Sequence, residues 1–501
     1  MTCDVVLQRG SVFAIKEETT AGTLIVPTAG TDFIPLKSGF AMEFSVEELA
    51  SEELLNDEGS AKGLSGFESV SGTHGAYLKT SEVAGTAPDA GLLFESCLGD
   101  TSVETTEYLT TAASTVSLVK LASGGSSKED GEAIMVKDTT NGYSIRNIDS
   151  ISTNDLSINF NLDAAPATGL GIGKAVLYKP GSTHKSFSAW LYNGNGGVLQ
   201  AAAGCRVSGI TMNFAAGQQA DVEFTYEGAK YYLNPIVITA STDTFNITDD
   251  DVTDAAITVP AGIYDPIDLA TAIAAALNAS ASTEVYTCVY SNVTGKFTIA
   301  TATSTVFSIL WNTGTDVAQS IATKIGFTTA ADSTGALTYT SSNAQSYAAG
   351  FTPSYDNAGN IVVKDAEFFM GDATDNLCRC ARTISIAIST PTTNLESICS
   401  ETGIQEKVIL SREVTLTAEL VVNKYDVMLF NKLKNNTGLK AMVNIGPKSA
   451  GNWVPGKCVN VYLRNATVSQ HTVSGDDFVL LNVTLKGFVT STSKDLYINM
   501  I

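Results

Sequence analysis

Basic residues are scarce in this chain. It has 30 Lys and Arg residues against 52 Asp and Glu residues, so its formal net charge is -22 at pH 7. Tight binding of nucleic acid needs clustered basic side chains that neutralise phosphates, and the sequence has no such cluster. The charge therefore excludes a protein that grips DNA. An acidic surface can still face DNA usefully by repelling it, since like charges oppose adhesion over a Debye length of about 8–10 Å.

Catalytic and metal-binding patterns are also missing. The three histidines are His74, His184 and His471. Each is isolated in sequence, and a lone histidine is more often a structural residue than a catalyst. Cys378 and Cys380 are separated by one residue, which is not the spacing of a zinc or redox pair. The glycines at 169–174 lack the spacing, and the Ser or Thr, of a phosphate loop. We therefore predict no catalytic residue, no metal site, no cofactor and no enzyme activity.

Long apolar runs are absent as well, so no segment is predicted to cross a membrane. Residues 1–4 lack the basic and apolar regions of a signal peptide. We expect a protein that is made and assembled in the cytoplasm, without membrane contact. In that reducing compartment the eight scattered cysteines are expected to be buried thiols rather than disulfides.

The residues that are abundant favour strands and turns. Thr, Ser, Val and Ile dominate the periodic segments, and 42 Gly and 12 Pro residues interrupt them. A chain of 501 residues exceeds what one hydrophobic core usually serves. We therefore predict a mainly β protein with two to four domains.

Two segments of the chain carry the same series of elements. In the first, an alternating strand at 40–46 and a polar segment at 47–66 precede a second strand at 70–78. A short helix at 88–98 and a hairpin at 205–228 complete the series. We predict that this series forms one domain.

The second series repeats that order near the end of the chain. It has a strand at 384–388, a polar segment at 389–403, a strand at 414–420, a helix at 425–433 and a hairpin at 468–487. Element order agrees better than residue identity does. A tandem duplication explains the agreement, and chance similarity between two all-β domains is the alternative.

The segment between the two series, at 236–350, has a different pattern. Asp265 precedes a proline and Asp268 lies in the first turn that follows, which predicts a capped helix start. A hairpin turning at 292–295 and a short helix at 317–325 come next. This predicts a compact α+β domain placed between the two copies.

These observations divide the chain into five segments. Residues 1–36 form an N-terminal arm that folds on a neighbour or stays loose, and 37–235 form the first β domain with additional strands. Residues 236–350 form the inserted domain, 351–380 a return linker, and 381–501 the second β domain.

Parts of the sequence resemble the tail tube proteins of long-tailed bacteriophages with non-contractile tails, the siphophages. The resemblance lies in the N-terminal segment 14–29 and in the C-terminal series ending Val-Thr-Leu-Lys-Gly-Phe at 483–488. The inserted segment is similar to small domains of phage virion proteins through 292–299, 309–314 and 325–327. Together these segments cover most of the chain.

The resemblance implies a fold and a function. Each of two tail-tube-type domains, a β-sandwich with a short helix, would add strands to a continuous β-barrel. Rings would stack into a hollow tail tube through which DNA passes during ejection, without specific binding. Rings of the family commonly hold six such domains. Three copies of a two-domain chain would therefore complete one pseudo-sixfold ring, with the inserted domain projecting outward, and six copies per ring is the alternative.

The resemblance also implies partners and a location. The chain would associate with itself and with tape-measure, tail-terminator and tail-tip proteins in the virion tail. The long polar segments are expected to reach the adjacent ring, with five apolar anchors among their acids. These candidate contacts are Leu49, Leu54, Leu55, Leu395 and Ile398. Mobile surface loops are the alternative.

A second function class stays open at this point. A surface or head-fibre adhesin could use the inserted domain to bind host carbohydrate or protein. An adhesin predicts an export signal or an exposed cluster of aromatic side chains, and Trp190, Trp311 and Trp453 are far apart in sequence.

Overall fold

A computed structural model describes most of the chain, and it confirms the mainly β class. The described residues are 8–28, 30–51, 62–137, 142–194, 198–302, 306–344, 359–371, 376–400, 402–422, 428–474 and 479–501. Most elements are antiparallel strands, and α-helices are few among these residues.

The strands are numbered in chain order. The first group is β1 Val12–Glu17, β2 Phe33–Ile34, β3 Ala41–Leu49, β4 Leu64–Tyr77, β5 Gly99–Glu104, β6 Tyr108–Leu109, β7 Leu118–Lys120, β8 Ala133–Lys137, β9 Tyr143–Ser152, β10 Asp155–Asn159, β11 Gly171–Ile172, β12 Ala175–Pro180, β13 Phe187–Asn193, β14 Val198–Ala215, β15 Asp221–Gly228 and β16 Lys230–Leu233. The second group is β17 Ile236–Ile238, β18 Thr244–Thr248, β19 Ala255–Thr258, β20 Gly262–Tyr264, β21 Tyr286–Ser291, β22 Lys296–Thr301, β23 Phe307–Ile309, β24 Ser333–Ala336 and β25 Thr338–Thr340.

The last group of strands follows residue 360. It is β26 Glu367–Gly371, β27 Asn376–Cys378, β28 Ala381–Ser389, β29 Thr392–Glu396, β30 Ile404–Ile409, β31 Glu413–Val421, β32 Leu439–Ile445, β33 Lys448–Ser449, β34 Asn452–Trp453, β35 Val459–Ser474, β36 Leu480–Gly487 and β37 Leu496–Met500. The helices are α1 Gly91–Leu98, α2 Pro266–Asn278 and α3 Met428–Asn435.

The chain divides into two compact units. The smaller unit comprises Met1–Ala14, Ala189–Ala202 and Tyr231–Pro353, and the larger comprises Ile15–Ser188, Ala203–Lys230 and Ser354–Ile501. The smaller unit holds the segment predicted as an insert together with two short stretches from elsewhere in the chain.

Described residues of the predicted N-terminal arm pack within the chain. Residues 13–15 of β1 are buried. Just after the strand, the buried Glu18 carboxylate accepts hydrogen bonds from the backbone N–H groups of Gly22 and Gly204, both at 2.8 Å. Burial raises the pKa of Glu18. The described part of the arm is therefore tied into the larger unit at Glu18.

The smaller unit contains the predicted α+β pattern. The Asp265 side chain accepts hydrogen bonds from the N–H groups of Ile267 and Asp268, so the predicted capped start of α2 is confirmed. β21 and β22 form the predicted hairpin. One expectation is wrong: the segment 317–325 holds two 3₁₀ turns, Val317–Gln319 and Ala322–Ile325, rather than one helix.

A row of eight antiparallel strands, part of one larger sheet, runs through the larger unit. Its strands are hydrogen-bonded in the order β3, β4, β15, β14, β28, β31, β36, β35. The first four strands and α1 make up the first repeat, and the last four and α3 make up the second. The predicted order of elements is confirmed in both, and the two repeats pair their strands in the same order.

The two repeats also share their register. Corresponding pairs are Phe44–Val70 and Ile388–Val414, Gly72–Tyr226 and Leu416–Leu485, Phe224–Ile210 and Val483–His471, and Val222–Met212 and Leu481–Val473. Each repeat has a bulge at the same point, Ser208 in the first and Ser469 in the second. A β-bulge shifts a strand by one residue, so two independent sheets rarely agree at this level. The similarity is therefore structural and extends beyond element order.

Beside this row, β7, β10, β9 and β8 form a separate four-stranded sheet. β26 extends the large sheet itself, because it pairs with β32 and β32 pairs with β35. The segment 351–380 is thus more than the linker predicted from its sequence, because Phe368 and Met370 of β26 are buried in a paired strand.

Four fully buried asparagines connect the flanking strands. They are Asn147 of β9, Asn444 of β32, Asn460 of β35 and Asn499 of β37. The Asn460 amide donates to the side-chain oxygens of Asn147 at 3.0 Å and Asn444 at 2.7 Å. Its own oxygen accepts from Asn147 at 2.8 Å and from Asn499 at 3.1 Å. Asn460 is therefore the centre of a satisfied polar network.

Candidate assembly interface

The two repeats join through one pair of strands, which we name the internal junction. Residues 209–215 of β14 pair with 383–389 of β28. Its apolar pairs are Ile210–Ile388, Met212–Ile386 and Phe214–Ile384, and all six side chains are buried. The last strand of the first repeat in sheet order, β14, thus pairs with the first strand of the second repeat, β28.

Residues just beyond β28 complete the internal junction. The Thr390 N–H donates to the Ser208 carbonyl at 2.8 Å, and its hydroxyl donates to the Val207 carbonyl at 2.9 Å. The Cys97 sulfur of α1 lies 3.5 Å from that hydroxyl. The helix of the first repeat therefore covers the place where the repeats meet.

The two strands at the ends of this row are the counterparts of the two strands in the internal junction. β3 corresponds to β28, and β35 corresponds to β14. β3 pairs with β4, and no other described strand pairs with it; we call its outer side the first edge. At the opposite end, residues 466–474 of β35 pair with β36. Strand β32 pairs with β35 only up to Ala466, so no described strand lines the other side of 467–474; we call this the second edge.

Equivalent positions differ in exposure between the internal junction and the edges. Val473 at the second edge is 59% exposed, whereas the corresponding Met212 is 0% exposed. Val46 beside the first edge is 42% exposed, and its counterpart Thr390 is 0% exposed. Phe44 is 43% exposed against 2% for Ile388. At the internal junction the neighbouring strand covers these positions, whereas among the described strands none pairs with the outer side of β3 or of 467–474.

The sheet has one covered face and one open face. The covered face holds the buried apolar rows, and Phe94 of α1 packs edge-on against Phe224 of β15 with ring centroids 5.2 Å apart. The open face is polar and rich in hydroxyls. Its side chains include Glu43, Ser45, Ser71, Thr73, Glu223, Thr225, Thr211, Asn213, Ser385, Thr415, Thr417, Glu419, Asn482, Thr484, Gln470 and Thr472.

Electrostatics differ between the two faces. Complete burial on the covered face lowers the pKa of His74 to about 3, so its ring is neutral at pH 7. At the margin of the open face, a hydrogen bond from Lys486 at 2.7 Å lowers the pKa of Glu413. A hydrogen bond to Asp221 raises the pKa of Lys37. These ion pairs are exposed, so each adds little to stability.

The polar segments after the first strand of each repeat form ribbons. Leu49 pairs with Leu64 at the end of the first ribbon, and the corresponding pair in the second ribbon, made by β29 and β30, is Thr393–Val408. The ribbons meet where the ring of Phe67 lies against Gly403, which has φ +77°. The described parts of the predicted loops are therefore paired strands.

The structure places three of the five sequence-predicted contacts. Leu49, Leu395 and Ile398 are exposed on the ribbons. Leu54 and Leu55 lie outside the described residues. Sequence reasoning missed the edge residues Val46 and Val473, although the shared Val-Ser dipeptide at each bulge is a signal that aligns the two repeats.

Residues considered for chemistry are scattered. His74 and His184 both belong to the larger unit, but His74 faces the apolar core, and His184 Nδ1 lies 3.0 Å from the Ser96 carbonyl oxygen. Within the described residues, no three His, Cys, Asp or Glu side chains converge as metal ligands would.

The cysteines correct one expectation. Cys97, Cys205 and Cys458 are buried as predicted, and Cys288 is half-buried. Three others are exposed, namely Cys378, Cys380 and Cys399. They lie at strand ends and in a turn, where the backbone leaves the core.

The tryptophans bear on the adhesin alternative, which predicts an exposed aromatic cluster, and the helices bear on membrane contact. Trp190, Trp311 and Trp453 are all buried. Over the described part of the chain, no helix has the length and apolar character needed to span a bilayer.

Comparisons with known proteins show no family for this chain. No protein-family model matches the chain, and no curated protein matches it. Among solved structures, the selenomethionine-labelled mavirus penton protein is similar at 12% identity, over 56% of this chain and 84% of that chain. The TM-score of that match is 0.17, which is too low to carry an argument from that protein to this chain.

Proposed function

We propose that this chain is a structural virion protein that self-assembles head to tail into closed rings, and that the rings stack into a phage tail tube. The observation that carries the proposal is the internal junction, in which β14 of the first repeat pairs with β28 of the second. β35 is the counterpart of β14, and no described strand lines the outer side of its residues 467–474. A sheet edge is a template for pairing, and ring closure removes such edges.

Ring closure repeats the internal junction between subunits. Each chain brings eight strands, so three chains give a barrel of 24 strands with six equivalent junctions. At a strand spacing of about 4.8 Å, such a barrel is roughly 37 Å across before strand tilt widens it. The choice of three copies comes from the resemblance to tail tube proteins, whose rings commonly hold six domains.

The open face suits the wall of such a tube. The covered face already packs against its own chain, which leaves the open face to line a lumen. That face carries hydroxyls, amides and acids such as Glu43, Glu223 and Glu419. Together with the net charge of -22, this surface opposes adhesion of DNA phosphates. DNA would pass through without specific binding.

The wider context follows from the same proposal. The chain would act without enzymatic chemistry, and would meet tape-measure, tail-terminator and tail-tip proteins in the virion tail. The adhesin alternative has no observation in its favour here, because none of the three tryptophans supplies an exposed aromatic platform.

Electron microscopy of the concentrated full-length protein tests the proposal. End-on class averages together with the mass of isolated rings give the number of copies. Hollow stacked rings of three chains are expected. Rings of six chains would keep the tube but overturn the two-domain count. A protein that stays monomeric at high concentration, with or without purified tail-tip complex as a nucleus, would overturn the proposal.

A further inference from the structure

We propose that Ile398 of one ring enters a cleft at the start of β28 in the next ring, and that this contact joins the rings. The occupant of the cleft is thus a second copy of this chain. The inference rests on the proposed tube and goes beyond it by assigning the surface that receives the second ribbon.

The cleft lies in the larger unit and has a volume of about 150 Å³. Its apolar lining is buried and comes from the covered face and from neighbouring strands. These side chains are Phe214, Val363, Phe368, Ile384, Val443 and Ile445. An apolar cavity of about this size in another protein holds a benzene molecule, so the cleft can take one aliphatic side chain.

The rim of the cleft is basic. Lys364, Arg379 and Arg382 line it together with a single acid, Asp365, although the whole chain has only 30 basic residues. Lys364 and Arg382 are exposed, and the Arg382 Nε atom lies 3.8 Å from Glu419 Oε2. The cleft therefore suits an occupant that is apolar at its centre and acidic beside it.

The second ribbon has both properties. Ile398, just after β29, is fully exposed, and Leu395 at the end of the same strand is 46% exposed. Glu396 lies between them and is also exposed. Insertion of Ile398 would remove apolar surface from water, and Glu396 would meet the basic rim.

The cleft and the second ribbon lie at opposite ends of one strand. Ala381 and Thr383 at the start of β28 line the cleft, and the ribbon begins at Thr392, shortly after the strand ends. β28 has nine residues, which span about 30 Å. A contact between unlike surfaces at two ends of a subunit is heterologous, and it repeats without closing. It would therefore extend rings into a tube.

Chemical cross-linking of the full-length protein tests the contact. Cys378→Ser and Cys380→Ser leave Cys399 as the exposed thiol beside Ile398, and Thr383→Cys adds an exposed thiol at the cleft. Assembled tubes and unassembled protein are treated with a short bifunctional maleimide and separated on denaturing gels.

Two matched variants control for chance contact, each in the background that carries Thr383→Cys. Cys399→Ser with Leu49→Cys moves the thiol to the first ribbon. Cys399→Ser with Val293→Cys moves it to an exposed turn of the smaller unit.

Chains linked through 399 and 383 are expected in tubes and not in unassembled protein. Tubes in which this pair does not link, or in which the thiol at 49 or at 293 links instead, would overturn the inference and leave the tube intact. The absence of tubes from the unmodified protein would overturn the proposed function itself.

Charge reversal tests the basic rim without touching the apolar residues. Glu396→Lys should raise the protein concentration at which tubes form by about tenfold, because like charges would meet in three copies around each ring. Lys364→Glu together with Arg382→Glu should restore tubes to that variant. Asp250→Lys, at an exposed position of the smaller unit, should assemble like the unmodified protein. Failure of the rim substitutions to restore tubes would count against the contact.

Hydrogen exchange of the unmodified protein gives a measurement that needs no substitution. Peptides that cover 362–366 and 395–399 are expected to gain protection when rings stack into tubes. Peptides that cover 209–215 are expected to stay equally protected, because the internal junction already exists within the chain. Unchanged exchange at 362–366 in tubes would contradict the inference.

Discussion

Ile210 and Ile388 lie directly opposite each other where the two repeats meet, and both are buried. They are 178 positions apart in sequence, and their strands correspond to the two end strands of the row of eight, β35 and β3. This pair shows what a contact between subunits requires: an apolar residue on each strand, a shared register and a helix over the seam. The following predictions rest on this relationship and on the packing around it.

A lysine at the second edge should block assembly without unfolding the chain. Val473 is exposed in the single chain, so Val473→Lys should change the free energy of unfolding by no more than about 0.5 kcal/mol. In a ring that closes through the second edge the ammonium would be buried against the next subunit, at a cost of several kcal/mol. Analytical ultracentrifugation should show monomers where the unmodified protein forms rings.

Met212→Lys is the matched control for that substitution. Met212 occupies the corresponding position in the internal junction and is fully buried. The lysine should therefore destabilise the monomer itself by several kcal/mol, seen in denaturant unfolding. If Val473→Lys assembles like the unmodified protein, the second edge is not an interface.

Element order was predictable from the sequence, and the edges were not. Alternation of apolar residues at 384–388 and 414–420 sufficed for strands, because one face of the sheet is buried and the period of a strand is two. The pairing of β14 with β28 depends on contacts distant in sequence, which periodicity does not report. The ribbons were predicted as loops since their side chains are polar, while their backbone bonds pair them.

The same limit explains the missed contacts of the N-terminal segment and the predicted linker. Glu18 looks like a solvated acid in sequence, but three hydrogen bonds from Gly22, Gly204 and Ser188 hold it inside the larger unit. Capping signals are local, so the start of α2 at Asp265 was predictable.

His74 should make the protein sensitive to mild acid. Its folded pKa of about 3 lies below the unfolded value of 6.5, so only the unfolded chain binds the proton between these values. The free energy of unfolding should therefore fall by about 1.4 kcal/mol per pH unit as the pH drops from 6.5 toward 3, and be unaffected by this group above 6.5. Urea unfolding at pH 7.5, 5.5 and 4.5 measures the slope.

Comparison with His74→Leu separates this effect from the titration of acids. The variant should lose less stability than the unmodified protein over the same pH range. Parallel losses in the unmodified protein and His74→Leu would show that His74 does not control the slope.

Removing the centre of the asparagine network should be costly. Asn460→Ala leaves the buried amides of Asn147, Asn444 and Asn499 without one partner each, and an unsatisfied buried group costs about 1–3 kcal/mol. We expect a loss of about 3 kcal/mol or more in denaturant unfolding. Asn161→Ala, at an exposed position, should change stability by less than about 0.5 kcal/mol. Equal effects of the two variants would show that the network adds no stability.

The cap of α2 should act on the smaller unit alone. Asp265→Ala removes the acceptor for two N–H groups at 2.7 and 2.9 Å and should cost about 1 kcal/mol, while Asp265→Asn should retain most of that stability. Hydrogen exchange of the α2 amides should rise about fivefold in the alanine variant. Ring assembly should be unchanged, and loss of rings in Asp265→Ala would mean that the smaller unit takes part in the interface.

Exposed apolar residues on the ribbons should govern stacking rather than ring closure. Leu49 and Ile398 are exposed on the ribbons, Leu49 at the last pair of β3 with β4 and Ile398 just after β29. Burying them against an adjacent ring would be favourable by about 25 cal/mol per Å² of apolar surface, and aspartate at both positions would remove that gain and add charge repulsion. The double variant Leu49→Asp, Ile398→Asp should therefore give single rings in electron micrographs where the unmodified protein gives tubes. Val293→Asp, at an exposed hairpin turn of the smaller unit, should stack normally. Tubes of ordinary length from the double variant would place the contact between rings elsewhere on the subunit.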